Sequence, residues 1–173
     1  MALQRPTKEF LSFLRNSATL RDQIRAAPNA ALFYAGSFFK PFWEELEDLK
    51  ARRPELARKE TLVDVLARIP VTDTTYRNLS EYVQAVDRQI RPTPDRFILW
   101  RALSGIYARN AVGKVSFQVG SEITRAGKVF AATEVANLLR NPSVDETSRD
   151  FLEYVQRCID TGDGLVNAGF ISL

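Results

Sequence analysis

The prolines set the strongest limit on how this chain can fold. Eight of them divide it into segments, at positions 6, 28, 41, 54, 70, 92, 94 and 142. A proline inside a helix removes a hydrogen bond and clashes with the preceding turn, whereas a proline in the first turn is tolerated. The segments between the prolines carry apolar residues at helical spacing. The sequence therefore predicts an all-α protein, an irregular bundle of about six to eight helices.

The chain is long enough for one domain and for a substantial core, so residues 1–173 are predicted to form a single domain. Residues 1–27 hold five basic and two acidic side chains and predict one amphipathic, basic N-terminal helix. Such an arginine-rich N-terminal segment is typical of a mitochondrial targeting sequence and also of an ordinary surface helix. We favour the surface helix, because the pattern continues straight into the fold. Pro28 and Asn29 predict the start of a second helix.

The clearest helical patterns lie in the second half of the chain. Apolar residues recur at three- and four-residue steps from Tyr76 to Ile90. Thr93-Pro94-Asp95 predicts the start of the next helix, since proline suits the first turn and an acid favours the helix dipole. Residues 132–140 are also predicted to be helical. Residues 143–146 match a capping box that opens a further helix.

Residues 113–124 are ambiguous. Alternation of Val115, Phe117 and Val119 with polar residues predicts a short strand near 114–119. The same residues also fit the three- and four-residue steps of a helix, and we favour the helix. The apolar tail, residues 165–173, is predicted to dock on the rest of the fold.

The composition excludes much of enzyme chemistry. The chain has no histidine and one cysteine, Cys158, which removes Ser-His-Asp and Cys-His catalysis and histidine-ligated metal sites. The carboxylates at 44–48 are interleaved with basic residues and predict a solvated helix face. The loop at 160–164 lacks the last acidic ligand of a calcium loop. We therefore predict that the protein is not an enzyme and holds no cofactor or metal, and an enzyme that uses carboxylates alone is the least favoured alternative.

Charge is distributed unevenly. Residues 88–128 contain eight basic and two acidic side chains, whereas residues 145–173 contain six acidic and two basic ones. The two regions could pack together, or the first could offer a basic face to phosphate groups. This predicted basic face consists of Arg88, Arg91, Arg96, Arg101, Arg109 and Lys114.

Six aromatic residues lie within residues 33–43. Core packing is the first interpretation, but six rings exceed what one helix face usually buries. A contact with a partner helix or a lipid interface is therefore a second interpretation. The predicted contact residues are Phe38, Phe39, Phe42 and Trp43.

Small residues recur at four-residue steps between positions 104 and 124. Such spacing lets two helix backbones approach closely, in a membrane or in a soluble bundle. The residues predicted to make this close helix packing are Ser104, Ala108, Ser116, Gly120 and Thr124. Three basic side chains in the same stretch oppose a membrane interpretation.

Two segments together resemble subunit g of the mitochondrial F-type ATP synthase. Residues 29–36, with Lys40-Pro41 and Phe42-Trp43 after them, are similar to the aromatic amphipathic helix of that family. Residues 119–128 resemble its Val-Gly-Glu-Ile-Ile-Gly motif, although Ser121 is inserted. The resemblance covers about thirty residues, and the residues after Lys128 have no counterpart. It implies a non-catalytic, membrane-embedded subunit that pairs with subunit e, in a complex of the mitochondrial inner membrane.

These observations favour a non-catalytic structural or assembly subunit of a larger complex. Its partners would be other protein subunits, with contact to a membrane interface as a further expectation. The alternative is a helical module that binds nucleic acid through the basic face, for which a cytoplasmic location is the alternative expectation.

Overall fold

A computed structural model describes residues 2–35, 48, 50–52, 54–119, 129–162 and 169–172. Its helices are α1 (Arg5–Asn16), α2 (Ala18–Gln23), α3 (Pro54–Ala57), α4 (Leu62–Ala67), α5 (Leu79–Ile90), α6 (Asp95–Arg109), a π-helix (Phe130–Glu134), α7 (Val135–Arg140) and α8 (Glu146–Thr161). Its strands are β1 (Leu32–Ala35), β2 (Ser116–Val119) and β3 (Gly169–Ser172). The predicted irregular helical bundle is confirmed.

One apolar core runs through the described helices. The largest side chains that it buries completely are Tyr107, Phe10, Phe33, Phe117, Ile24, Leu32, Leu56, Leu66, Leu79 and Ile90. Phe33 and Phe117 pack with their ring centroids 6.1 Å apart, so the strands join the core that the helices form. Cys158 is buried as a free thiol and serves as a small core residue.

The predicted N-terminal helix over 1–27 is divided in two at Ser17. The backbone of Ser17 is extended, and its side chain accepts a hydrogen bond from Leu20 N to cap α2. Serine allows α2 to begin here, because its hydroxyl accepts from an amide that would otherwise lack a partner. Arg21 Nη1 donates to Leu14 O at 3.0 Å, so the end of α1 is satisfied by a side chain of α2.

The second helix predicted from Pro28 is wrong over Leu32–Ala35, where the chain forms β1. Asn29 takes a left-handed conformation, with φ of +63°. Its backbone N–H donates to Val112 O, and its side-chain oxygen accepts from Lys114 N. Asparagine adopts this conformation more readily than most residues. The turn at Asn29 thus ties the start of β1 to the segment that precedes β2.

The short strand predicted near 114–119 is confirmed as β2, and the helix that we favoured for this stretch is wrong at Ser116–Val119. Val115 and Phe117 are both fully buried. The Phe117 ring contacts Phe151 of α8 at 4.9 Å between centroids. Burial at two-residue steps is what an extended chain provides and a helix does not.

The three strands form one small sheet in the order β1-β2-β3. β1 and β2 are parallel, and β2 and β3 are antiparallel. In the apolar tail, residues 169–172 therefore lie against β2. The sheet joins parts of the chain that are far apart in sequence.

Caps hold several helices at residues that the sequence only partly indicated. Asn78 caps α5 by accepting from Glu81 N. Asp145 caps α8 by accepting from Ser148 N, so the capping box predicted at 143–146 is wrong and the helix begins two residues later, with a single side-chain cap. Gly162 ends α8 with a positive φ of +74°.

Asn141 satisfies the end of α6. Its side-chain amide donates to the carbonyls of Ala108, Arg109 and Ala111, at 2.8 to 3.0 Å. Its oxygen accepts from Ser143 N at 2.9 Å. A single buried asparagine therefore fastens the turn after α7 to the C-terminus of α6, and it fixes how the two helices meet.

Candidate functional site

The structure does not bring the predicted basic residues together on one face. Arg96 Nε donates to Asp87 Oδ1 at 2.7 Å, and Arg91 Nη2 lies 3.5 Å from Oδ2 of the same carboxylate. Trp100 Nε1 also donates to Asp87, which is buried. The charges of Arg91 and Arg96 are thus held by a carboxylate, while Arg88 is exposed on α5.

Lys114 lies in the loop before β2, beside Lys59 and Asp145. Burial lowers the pKa of Lys59, and the Lys114 ammonium lowers it further. Hydrogen bonds from Ser148 hold the pKa of Asp145 below its usual value, and the Lys114 charge adds to that effect. Lys114 therefore belongs to a mixed cluster at the start of β2.

Arg101 and Arg109 instead meet two arginines from the N-terminus of the chain, Arg15 and Arg21. All four line a groove of about 290 Å³ between α1, α2, α6 and the π-helix. We call it the arginine groove. Its lining consists of Leu11, Leu14, Arg15, Arg21, Arg101, Ala102, Gly105, Ile106, Arg109 and Thr133.

Neutral groups hold three of the four guanidinium groups in place. Arg101 Nε donates to Thr133 Oγ1 at 2.9 Å, and its guanidinium lies 5.5 Å from the centre of the Phe97 ring. Arg109 Nη1 donates to Asn137 Oδ1 at 3.2 Å. Arg21 is bound to carbonyls at the end of α1. Since each guanidinium has five N–H donors, all of them retain donors for a ligand.

No carboxylate balances these four charges within the described residues. The groove lining contains no acidic side chain. The ion pairs in the described ranges use other cations, for example Arg68 with Glu60 and Arg77 with Glu81. Arg15, Arg101 and Arg109 are exposed at the groove. Four cations around one concavity repel one another, and a bound anion would relieve that repulsion.

Gly105 lies at the wall of the arginine groove. A Cβ at this position would lie 3.2 Å from Arg109 Nη1, the end of a flexible side chain, and 3.4 Å from Thr133 Cγ2, an ordinary contact distance. Gly105 therefore lies where α6 approaches Thr133 of the π-helix, and a Cβ there would require only a small shift of the Arg109 guanidinium. A π-helical turn is rare and is often found at functional sites.

The predicted ladder of small residues does not form one helix face. Ser104 and Ala108 are buried on α6, whereas Ser116 is in β2. Gly120 and Thr124 lie outside the described residues. Gly105, one residue after the start of the predicted ladder, lies near Thr133 of the π-helix, and a Cβ there would be in ordinary contact with that side chain.

Glu134 lies directly behind the groove wall. It follows Thr133 in the π-helix and is buried. Burial raises the pKa of its carboxyl to about 8, and a hydrogen bond with Ser104 acts in the opposite direction. Burial also raises the pKa of Tyr107, which donates to Glu60 O. Both groups are enclosed in the core, so their polar atoms support packing rather than contact with a ligand.

The other predicted sites fall mainly on residues outside the described ranges. These include the contact residues Phe38, Phe39, Phe42 and Trp43, and nearly all of the second segment that resembles subunit g. Residues 29–35 of the first segment are described, and Leu32–Ala35 form β1 rather than the helix that the resemblance implies. Of the carboxylates at 44–48, the structure describes only Asp48. Among the described residues, no group of acidic or cysteine side chains is arranged to hold a metal ion. Every helix in the same ranges is too short or too polar to span a bilayer.

Sequence reasoning found half of the arginine groove. Arg101 and Arg109 belonged to the predicted basic face, but Arg15 and Arg21 were assigned only to a basic surface helix. Their signal was the excess of basic over acidic residues in 1–27. Comparison of the chain with protein-family models, with curated proteins and with solved structures gives no match.

Proposed function

We propose that the protein is a non-catalytic binding module that holds phosphate groups of a nucleic acid in the arginine groove. One observation carries this proposal: four arginines converge on one concavity and no carboxylate neutralises them in the described residues. The proposal corresponds to the nucleic-acid alternative from the sequence, but it moves the site from residues 88–128 to a groove shared with α1 and α2.

Arginine favours phosphate among anionic ligands. Its planar guanidinium presents paired N–H donors that match two phosphate oxygens, and such charge-assisted hydrogen bonds are stronger than neutral ones. Arg101 and Arg109 keep free donors after binding Thr133 and Asn137. The neutral partners orient the guanidinium groups and leave their charge for the ligand.

The number of arginines favours a ligand with several phosphates. Arg101 and Arg109 both reach the surroundings of Thr133: Arg101 Nε donates to its hydroxyl, and Arg109 Nη1 and Thr133 Cγ2 lie 3.2 and 3.4 Å from the Cβ position of Gly105. Arg15 and Arg21 come from α1 and α2. Four positive charges exceed the charge of one phosphate, whereas a nucleic-acid backbone supplies a phosphate at every nucleotide.

The groove provides no group to move a proton. Its polar side chains are arginines and Thr133, and the chain has no histidine. Arginine stays protonated and cannot act as a base. The lining thus supports binding rather than a reaction.

The test is binding of fluorescently labelled oligonucleotides, measured by anisotropy across a salt series. Four phosphate contacts predict a slope of about −2.8 in log K against log salt for a single strand, or about 50-fold weaker binding between about 50 and 200 mM. The double substitution Arg101→Gln with Arg109→Gln removes two phosphate contacts. The slope therefore becomes less steep, at about −1.4.

Two single substitutions, Arg88→Gln and Arg15→Gln, give a matched comparison. Arg88 is exposed on α5 and outside the groove, so Arg88→Gln alone changes the net charge without changing the slope. Arg15→Gln alone lowers the slope by about 0.7. Equal effects of the two single substitutions, or no binding to any nucleic acid at low salt, refute the proposal.

The assembly-subunit hypothesis stays a prediction. It depends on the aromatic residues at 38–43 and on the resemblance to subunit g, both of which fall largely outside the described residues. Binding of a nucleic acid in the groove would not conflict with membership of a larger complex.

A further inference from the structure

The arginine groove has an apolar floor that phosphate groups alone would not use. We call its apolar lining residues, Leu11, Leu14, Ala102 and Ile106, the floor, and the four arginines belong to the same lining. Leu14 and Ile106 are buried, while Leu11 and Ala102 are partly exposed. A ligand that matches both parts must carry negative charge and a flat or apolar group side by side.

We infer that the groove binds single-stranded nucleic acid and places a base on this apolar floor between the arginines. The inference rests on the proposed function and adds the form of the nucleic acid. A base in a single strand is free to leave its neighbours and lie on apolar side chains or on guanidinium planes. Its own phosphates then meet the arginines at the rim.

A duplex does not fit this arrangement. Its bases are paired and stacked inside, so it offers phosphates on a convex surface and leaves the floor uncovered. The groove volume of about 290 Å³ corresponds to a small-ligand site. Such a space accepts part of one strand, whereas a duplex could place phosphates at the arginines but no base on the floor.

The lining also indicates how selective the site is. Thr133 is its only polar uncharged side chain, and its hydroxyl already accepts from Arg101. The lining has no amide or carboxylate, the groups that read adenine and cytosine edges, whereas its arginines can read guanine. Stacking tolerates every base, because each has a π-face. The groove therefore accepts every base by stacking and favours guanine through its arginines.

The experiment compares probes of equal length with the full chain at one low salt concentration. The probes are a single-stranded DNA and an RNA of the same sequence, the corresponding DNA duplex, an abasic deoxyribose-phosphate strand and poly-glutamate. We expect at least one single strand to bind about tenfold more tightly than the duplex and the abasic strand, because stacking of one base accounts for that difference.

A floor substitution separates the base contact from the phosphate contacts. Leu11 is partly exposed, so Leu11→Gln changes the floor with little risk to folding. We expect it to weaken binding of the single strand several-fold and to leave the abasic strand unaffected. Phe13→Gln is the matched control, since Phe13 is 53% exposed on α1 and is not part of the lining.

The outcomes are distinguishable. Equal binding of single strand, duplex and abasic strand overturns this inference and leaves the proposed function standing. Absence of binding to every nucleic acid overturns both. Poly-glutamate binding as tightly as the single strands would assign the groove to an acidic polypeptide, and it would also overturn both.

Discussion

Replacement of Glu134 by glutamine should change how the stability of the protein depends on pH. The Glu134 carboxyl is buried in the π-helix, and burial raises its pKa from 4.5 to about 8. The folded protein therefore keeps a proton on this group over a range where the unfolded chain has lost it. The stability that this proton supports is complete below pH 4.5 and is lost as the pH rises toward about 8.

The size of the effect follows from the width of this range. One pKa unit corresponds to about 1.4 kcal/mol. A pKa of 4.5 in the unfolded chain and of about 8 in the folded protein therefore implies a loss of roughly 5 kcal/mol across the full range. A small protein has about 5–15 kcal/mol of stability in total, so a change of this size is readily measured.

Glu134→Gln keeps the shape of the side chain and an oxygen that accepts from Ser104, but it cannot ionise. The assay is urea unfolding of both proteins at several pH values from about 5 to about 8. The stability of the variant relative to the parent should rise by about 1.4 kcal/mol for each pH unit. Taking the difference between the two proteins removes the contributions of other titrating groups.

Glu153→Gln on α8 is the control, because Glu153 is exposed. Its stability difference from the parent should stay constant over the same pH range. If the difference for Glu134→Gln is equally constant, the carboxyl is not held protonated by burial, and the reasoning about the π-helix is wrong.

Three further substitutions test other parts of the structure. Asp87→Ala removes a buried acceptor for two arginines and a tryptophan and should lower the free energy of unfolding by about 2 kcal/mol; no change in chemical denaturation would contradict this. Asn141→Ala leaves carbonyls at the end of α6 without donors, so we expect a loss of about 3 kcal/mol in the same measurement. Phe38→Glu with Phe42→Glu should abolish co-purification of partner subunits with the tagged protein, whereas unchanged co-purification would argue against the assembly-subunit hypothesis.

The helices of the second half were predictable because their signals are local. Apolar spacing located α5, and the order Thr93-Pro94-Asp95 located the start of α6. Gly162 ends α8 in the left-handed conformation that glycine adopts readily. These features depend on neighbours within about one turn, which a sequence displays directly. The exact caps differ by a few residues, because several polar side chains before each helix could serve.

The sheet was only partly predictable. The alternation around Phe117 indicated β2, but β1 was assigned to a helix. Its pairing partner lies more than eighty residues away, with Phe33 opposite Phe117, and no local pattern reports such a partner. The left-handed turn at Asn29 depends on a hydrogen bond with Lys114, which is also distant in sequence.

Half of the arginine groove, Arg15 and Arg21, was not predicted for the same reason. Arg15 and Arg21 come from the start of the chain, and Arg101 and Arg109 from its middle. Each pair alone is compatible with an ordinary helix surface. The four arginines meet only when α1 packs against α6, and only then is it clear that no carboxylate of the described residues lies among them.

The order of the strands has a consequence for synthesis on the ribosome. β2 lies between β1, which is made long before it, and β3, which follows roughly fifty residues later. At about 5–20 residues per second, one edge of β2 stays unpaired for several seconds while α8 emerges. During that interval the nascent chain carries an open strand edge, and an unpaired edge of this kind can recruit another chain. When many ribosomes translate the message at once, we therefore expect the nascent chain to need chaperones most in the interval before β3 has been synthesised.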